Sequence, residues 1–520
     1  MPPILEPASY LGTTVQVFAD RPASHDVLLR RAAAAWPDHP AVEAPSATLS
    51  YAELDALVDR AAAALHEVAE PGDRIAVALS HDVPLFTVPF LASRAGVTVL
   101  LLNASLTPDR WAEQLDTAEP TVVLTDAAHQ ASVAAAVRES HRVVPASQIW
   151  QANQAPAAPR PTGRPTGGPD QTLALIATSG TTGVPKMSRV TTAGLIHAAL
   201  AYIDLLGLDS TDRAYVCLPL YYIGALSAQT TTMALVGGTC VIPDDTAPAT
   251  AASRMEAARA TYLDAVPSWL GLMVREGTAT VPTLRTVIYG GAPMPAEVAQ
   301  ALARRFGTVA LWDVWGLSET HGPATALRYE LDAPPLPGTV GRPLAGVEVR
   351  ADSEDGGPGE LLVRGQNVTP GYADDEALTR KVIDRGWLRT GDIGTIGPDG
   401  TVRLLDRAKD VIMRGGANVF SVEVEQVLGQ HPDVVEAAVY GVPDGFGQEA
   451  VTATVVLREG ATIDVMALRA LVDSGIGRHA VPRRITTADS LPRNHTGKID
   501  KTTLRAQGGS PTGRRSTTRE

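Results

Sequence analysis

Cysteine is scarce. The 520 residues hold two, Cys217 in YVCLPL and Cys240 in GGTCVIP, both in apolar, strand-like company. They read as small buried hydrophobes, not as a disulfide framework. Pairs such as CxxC and HExxH are missing, so no metal-ligand motif of those types is present. No apolar run approaches the roughly eighteen residues a membrane span needs; VTVLLLN near residue 100 is far too short. A basic excess is lacking as well. Lys and Arg number 44 against 57 Asp and Glu, for a formal net charge of -13. That balance argues against a phosphate-tracking surface, so neither nucleic acid nor membrane is an expected partner. The start, MPPILEPASY, has no basic stretch leading into an apolar core. No export signal is expected, and a reducing cytoplasm is the expected compartment.

What is present is core-forming material: 45% of residues are apolar and 19% charged. A chain of this length predicts more than one domain. Apolar β-type runs (RIAVALS, TVVLT, LALIATS, RTVIYGG, VALWDVWG) alternate with Ala-rich helical stretches such as ELDALVDRAAAALHEV. The pattern predicts α/β layers with mostly parallel sheets flanked by helices over residues 1–405. Residues 151–170, QANQAPAAPRPTGRPTGGPD, read as a connector between subdomains. Beyond residue 405 the pattern changes to a small α+β domain, 406–508. Its helices are SVEVEQVLGQH and MALRALVDSG, and its strands are VVEAAVYGV and AVTATVVLRE. Residues 509–520 read as a polar, frayed tail.

One stretch carries chemistry beyond packing. TSGTTGVPK, residues 178–186, places glycines, hydroxyls and one cation straight after an apolar strand. Glycines let backbone N–H groups converge on an anion, and hydroxyls add donors. The spacing is not that of the GxxxxGK[ST] phosphate loop, and taken alone the stretch is equally a surface turn. It has companions, in order: YGGAP (289–293), DVWGLSE (313–319), GELLVRGQNVTPGY (359–372), RTGD (389–392), DRAKDVIMRGGANVFSVEVE (406–425) and PRNHTGKIDK (492–501). With these blocks the chain resembles the adenylate-forming (AMP-binding) enzymes, which include acyl- and aryl-CoA synthetases, luciferases and peptide-synthetase adenylation domains. The resemblance runs from about residue 25 to residue 505.

The resemblance implies ATP-dependent attack of a carboxylate on the α-phosphate, giving an acyl-AMP and pyrophosphate. Transfer to a thiol, CoA, follows. Repulsion is the obstacle, since two unit charges about 4 Å apart repel by roughly 4 kcal/mol at an effective dielectric of ~20. The implied ATP-binding set begins with the loop: Thr178, Ser179, Gly180, Thr181, Thr182, Gly183 and Lys186. Gly290, Gly291 and Ala292 lie against the nucleotide, with Asp313, Val314, Trp315, Gly316, Ser318 and Glu319. Trp315 is the aromatic beside adenine, Asp392 with Arg407 meets the ribose, and Lys498 bridges carboxylate and phosphate. Lys498, Glu319 and Lys186 form the implied catalytic set, with Glu319 the Mg²⁺ ligand. The acid pocket involves Tyr222, Gly224, Ser227, Gly291, Gly316 and His321. Lys409 is the hinge of a mobile small domain, and Gly415, Gly416 and Asn418 line the thiol channel. Plain structural readings stand beside several of these: Asp392 and Arg407 as an ion pair, His321 as a packed side chain.

Several positions depart from the family pattern. Met187 stands where many members have Gly, Tyr222 where they have His, Ser421 where they have Pro, and Asp406 where they have Gly. Tyr donates a hydrogen bond but does not change charge near neutral pH. Tyr222 and Ser421 therefore bear on the second half-reaction more than the first. No carrier domain follows residue 505, so the expected acceptor arrives in trans, as CoA or a carrier protein. The mix of glycines and aromatics suits a flat, small-to-medium acid, with an aromatic acid among the options. Two alternatives remain at this level. One is a non-thiol acceptor, through amide formation or diazotase-type activation of nitrite for an aryl amine. The other is an inactive nucleotide-binding module.

Overall fold

Ser50 shows how local sequence starts an element. Its hydroxyl accepts from Glu53 N–H at 3.3 Å, and the Glu53 carboxylate accepts from Ser50 N–H at 2.8 Å. This reciprocal cap opens the helix Tyr51–Leu65. Leu54, Val58, Ala61 and Leu65 recur at helical spacing and have no exposed surface, so one face carries the packing. The helix Thr192–Leu206 begins with a one-way cap, Thr191 Oγ1 accepting from Gly194 N–H, and stops at Gly207 in the left-handed region (φ 62°).

The computed structural model describes residues 3–150, 168–178, 185–307, 309–414, 417–444, 449–493 and 499–508. Most of the 151–170 connector lies outside the described residues. So do Ser179, Gly180, Thr181, Thr182, Gly183, Gly415, Gly416, Lys498 and the 509–520 tail. The chain divides into two compact units. The first comprises 1–335, 340–349 and 362–389; the second 336–339, 350–361 and 390–520.

Two parallel sheets dominate the first unit, as the alternating runs predict. One is ordered Lys186–Thr191, Thr172–Thr178, Thr98–Leu101, Arg74–Ala78, Val122–Thr125, Arg142–Pro145. Only its first pair is antiparallel. The other runs in parallel through Pro40–Glu43, Thr239–Val241, Arg213–Tyr215, Tyr262–Ala265, Thr286–Gly290 and Ala310–Leu317. Gly322–Arg328 then adds antiparallel.

This second sheet is buried on both faces. Tyr262 and Ile288 face a core shared with Leu195 and Tyr202 of the helix Thr192–Leu206. Leu263, Val287, Tyr289 and Leu311 face another, with Met255, Leu270 and Leu302. Double burial is why these strands read as nearly continuous apolar runs. Each fully buried large side chain contributes about 1.5–3 kcal/mol. Asp264 and Asp313 interrupt the runs.

In the second unit Val434–Pro443 and Glu449–Leu457 pair antiparallel, and Arg484–Thr487 adds parallel. The helices Ser421–Leu428 and Val465–Gly475 supply Val424, Leu428, Leu468 and Val472 to a core with Val439, Val451 and Val455. The α/β assignment and the α+β character of the C-terminal segment both hold. No helix among the described residues is long and apolar enough to cross a membrane. Both cysteines are free and buried, and burial pushes both thiols far up.

Candidate active site

In the first unit the site grows from one strand pair and one short turn. Thr178 ends a strand and Lys186 opens its antiparallel neighbour, so the two face each other across the ladder. Ser318–Thr320 forms a 3-10 turn after the strand Ala310–Leu317. Thr320 Oγ1 locks it by accepting from Leu317 N–H at 2.8 Å and donating to Gly322 O at 2.7 Å. The turn presents Glu319. Its Oε1 accepts from Tyr372 OH at 2.8 Å and from Thr178 Oγ1 at 3.4 Å. Thr369 N–H donates to Glu319 O at 2.7 Å, tying the GQNVTPGY block to the same turn. The Lys186 ammonium lies 6.0 Å from the Tyr372 ring centroid. Burial, then the Glu319 carboxylate, pushes the Tyr372 phenol far above its ordinary range, so it stays a neutral donor. Thr178, Lys186 and Glu319 thus come together around Tyr372, which sequence reasoning missed although the residue closes a quoted block.

Close backbone approach explains the nearby glycines. A Cβ on Gly316 would lie 1.8 Å from Gly322 O, and one on Gly290 would lie 2.6 Å from Val314 O. Gly291 adopts φ 79°, in the left-handed region. Ala292 and Gly291 are exposed, and Trp315 is 7% exposed. Burial pushes the Asp313 carboxyl up to about 7. Ser318 and Val314 are half-buried.

The pocket set divides. Tyr222 is half-buried, stacks edge-on against Tyr221 at 5.0 Å between centroids, and its hydroxyl accepts from Asn103 Nδ2 at 3.3 Å. Gly224 precedes a π-helical segment, Ala225–Thr231, a feature frequent at functional sites. Ser227 has no exposed surface, and its hydroxyl donates to Ile223 O at 2.8 Å. His321 is held by backbone on both sides of its ring. The residue is fully buried, Nε2 accepts from Thr191 N–H at 2.8 Å, and Nδ1 lies 2.7 Å from Asn367 O. Burial lowers its pKa to about 4, so the ring is neutral, with both nitrogens used to bind two backbone segments.

The second unit holds the remaining residues. Asp392 and Arg407 are cross-strand partners, joined by an ion pair at 3.0 Å. Asp392 is 5% exposed. Lys409 is exposed in a turn where Ala408 N–H donates to Gly391 O. Arg505 clamps that turn by donating to Lys409 O and to Asp410 Oδ1. Asn418 is exposed on a two-stranded ladder opposite Met413.

Two departures from the family pattern, Asp406 and Ser421, touch each other. Asp406 Oδ2 accepts from Ser421 N–H at 2.5 Å, and Oδ1 accepts from Ser421 Oγ at 3.0 Å and from Arg407 N–H at 2.8 Å. Lys501 Nζ donates to Ser421 Oγ at 2.6 Å and pairs with Glu425 Oε1 at 2.8 Å. Glu425 Oε1 also accepts from Val439 N–H at 2.7 Å. Ser421 in place of Pro supplies the N–H and hydroxyl that this network uses.

Parallel strands end in close-approach glycines, beside a hydroxyl-bound carboxylate and a lysine, an arrangement of the kind found in nucleotide-handling enzymes. Comparison with known proteins makes this specific. Residues 29–373 match the AMP-binding enzyme model, and residues 423–498 match the AMP-binding enzyme C-terminal domain. The indoleacetate–CoA ligase of Aromatoleum aromaticum is 32% identical, over 90% of this chain and 95% of that one. The amide bond synthetase McbA from Marinactinospora thermotolerans superimposes with a TM-score of 0.82 at 29% identity, covering 94% and 100% of the two chains. The O-succinylbenzoate coenzyme A synthetase of Bacillus subtilis, solved with ATP and a magnesium ion, gives 0.80 at 26% identity, covering 92% and 98%. The chain belongs to the AMP-binding enzyme family and is an ATP-dependent, AMP-forming ligase.

Proposed function

We propose that the chain adenylates a small-to-medium, flat carboxylic acid at the expense of ATP, releases pyrophosphate, and passes the acyl group to the thiol of CoA. The observation that supports this reading is the meeting of Thr178, Lys186 and Glu319 around Tyr372, with Thr178 and Lys186 the two ends of the TSGTTGVPK stretch. A carboxylate nucleophile is already ionised at neutral pH, so the site needs positive charge where two anions meet, not a base. Lys186 supplies part of it. Lys498 supplies the rest, bridging the acid and the α-phosphate. Trp315 and the Gly290–Ala292 turn receive the adenosine, and Asp392 with Arg407 the ribose.

Glu319 fits a magnesium site. One oxygen is oriented by two hydroxyls and the other has no hydrogen-bond partner among the described residues. A single carboxylate suffices, because Mg²⁺ takes most of its remaining ligands from phosphate and water. When bound, the ion offsets phosphate charge. Lys409 serves as the hinge that lets the small domain serve both half-reactions, and Asn418 stands on the thiol's approach.

A second reading replaces CoA by an amine. Tyr222, held by Asn103 where relatives have His, and the likeness to an amide bond synthetase favour it. Both readings share the first step.

Pyrophosphate release from ATP, screened over a panel of aryl acids with and without CoA or aryl amines, is the test. At least one acid is expected to support release, Lys498→Ala to abolish it, and Glu319→Gln to slow it by about 10²-fold. Near-normal release by Lys498→Ala would remove that residue from the mechanism. Thioester formation without amine would decide between the acceptors.

A further inference from the structure

Asp264 is a carboxyl where the fold calls for an apolar side chain. It sits third in the strand Tyr262–Ala265, paired with Ile288 of the neighbouring strand. It shares a sheet face with Tyr262, which points into the core built with Tyr202. The residue is 6% exposed, whereas Tyr262 and Ile288 have no exposed surface. Its side chain is therefore not sealed. No described residue hydrogen-bonds or ion-pairs with the carboxyl, and no cation among the described residues faces it. The groups nearest in charge are Tyr202, Tyr262 and the Cys217 thiol. The Tyr262 hydroxyl is turned away, donating to Ala228 O at 3.0 Å. Cys217 Sγ reaches only the Asp264 backbone oxygen, at 3.3 Å.

Position gives this orphan a direction. Gly290 and Ile288 lie two residues apart on one face, and Asp264 lies level with Ile288. At about 3.3 Å per residue, Asp264 sits roughly 7 Å below the Gly290 row, where the nucleotide is received. That is the depth of one six-membered ring. Gly224 forms the facing wall: a Cβ there would stand 3.3 Å from Asp264 Oδ2 and 3.4 Å from Leu218 Cδ1. The absence of a side chain at 224 leaves the carboxylate uncovered on that side.

We propose that Asp264 determines substrate choice by receiving a hydrogen bond from an amino or hydroxyl group on the acid, at the end remote from its reacting carboxylate. The inference rests on the adenylation reading and deepens it. A buried acceptor without a protein donor is costly. A substrate donor removes that cost, an apolar isostere leaves it standing, and a second carboxylate adds repulsion. Burial holds the Asp264 carboxyl up at about 7, so a donor also draws it into the ionised form near neutral pH.

The test is kcat/KM for pyrophosphate release with matched para-amino-, para-hydroxy-, para-methyl- and para-carboxy-substituted benzoates and cinnamates. It is run on the wild type, Asp264→Val and Gly224→Ala. The wild type is expected to favour an amino or hydroxy acid over its methyl isostere by about 10²-fold or more, and to reject the carboxy acid. The amino and hydroxy arms separate the two donors. In Asp264→Val the preference is expected to fall to a few fold, with the methyl acid gaining. Gly224→Ala is expected to act in the same direction by covering the carboxylate, and it decides the matter if Asp264→Val does not fold. An unchanged preference in the variants overturns the proposal. So does equal turnover of donor and methyl acids by the wild type. Both outcomes leave adenylation standing. Release with no acid at all overturns both readings together.

Discussion

Asp264 and Asp406 are buried to nearly the same degree, 6% and 5% exposed, and burial raises the pKa of both. Their surroundings differ completely. Asp406 is met by the Ser421 N–H and hydroxyl, by Arg407 N–H and by the charge of Lys501, and these contacts oppose the effect of burial. Asp264 has no such compensation among the described residues. A buried carboxylate with matched donors is part of the framework that holds two segments together. One without them has a cost that the folded chain alone does not recover. The contrast separates a structural acid from a recognition acid without reference to the sequence around either.

Substitutions sharpen that contrast. The largest effect is expected from Lys501→Met, which leaves Glu425 and Asp406 without their cation. A loss of about 3–5 kcal/mol in urea unfolding would place the network in the framework, and a loss under ~1 kcal/mol would make it decoration. Asp264→Asn should move the other way. The Asp264 carboxyl, at about 7 against an ordinary 3.8, keeps its proton in the folded chain where the unfolded chain has lost it. Stability from this group therefore falls as pH rises from about 4 to about 7 and is level above. Tyr202, Tyr262 and Cys217, all pushed upward by burial, do not titrate in that window. Relative to wild type, Asp264→Asn should gain with rising pH, reaching about 2 kcal/mol at pH 8. This lies below the linkage limit because the amide also lacks partners. A margin independent of pH would count against an unpaired Asp264. Ser421→Ala has the smallest expected effect, a loss of about 1 kcal/mol from the missing hydroxyl. Ser421→Pro should cost more, since it also removes the N–H that Asp406 accepts.

Much of the fold was legible because the signals are local. Double burial forces continuous apolar runs such as RTVIYGG, and the switch to SVEVEQVLGQH with two alternating strands marks the C-terminal unit. The family was legible because its blocks are short and ordered. What escaped depends on long-range approach. Tyr372 reaches Glu319 across 53 positions, and no local pattern distinguishes it from any aromatic closing a turn. His321 lies two residues past a motif, and the left-handed backbone at that residue (φ 53°) accompanies a ring held between Thr191 and Asn367. Asp264 left one trace, an acid inside the apolar run TYLDAVP. Its meaning required knowing that both faces of that strand are covered. Asp406 and Ser421 were visible separately as departures, but only the fold shows that each accounts for the other.

The two cysteines have a practical consequence. Both thiols are enclosed and held far from the ionised form that reacts with alkylating or oxidising agents. To a maleimide dye the native chain should look almost blank. A single cysteine placed at exposed Lys409 or Asn418 would then be the one handle available for attaching a fluorophore. Events around the turn at 409 could be followed in the wild-type background, with no need to strip out native sulfur first.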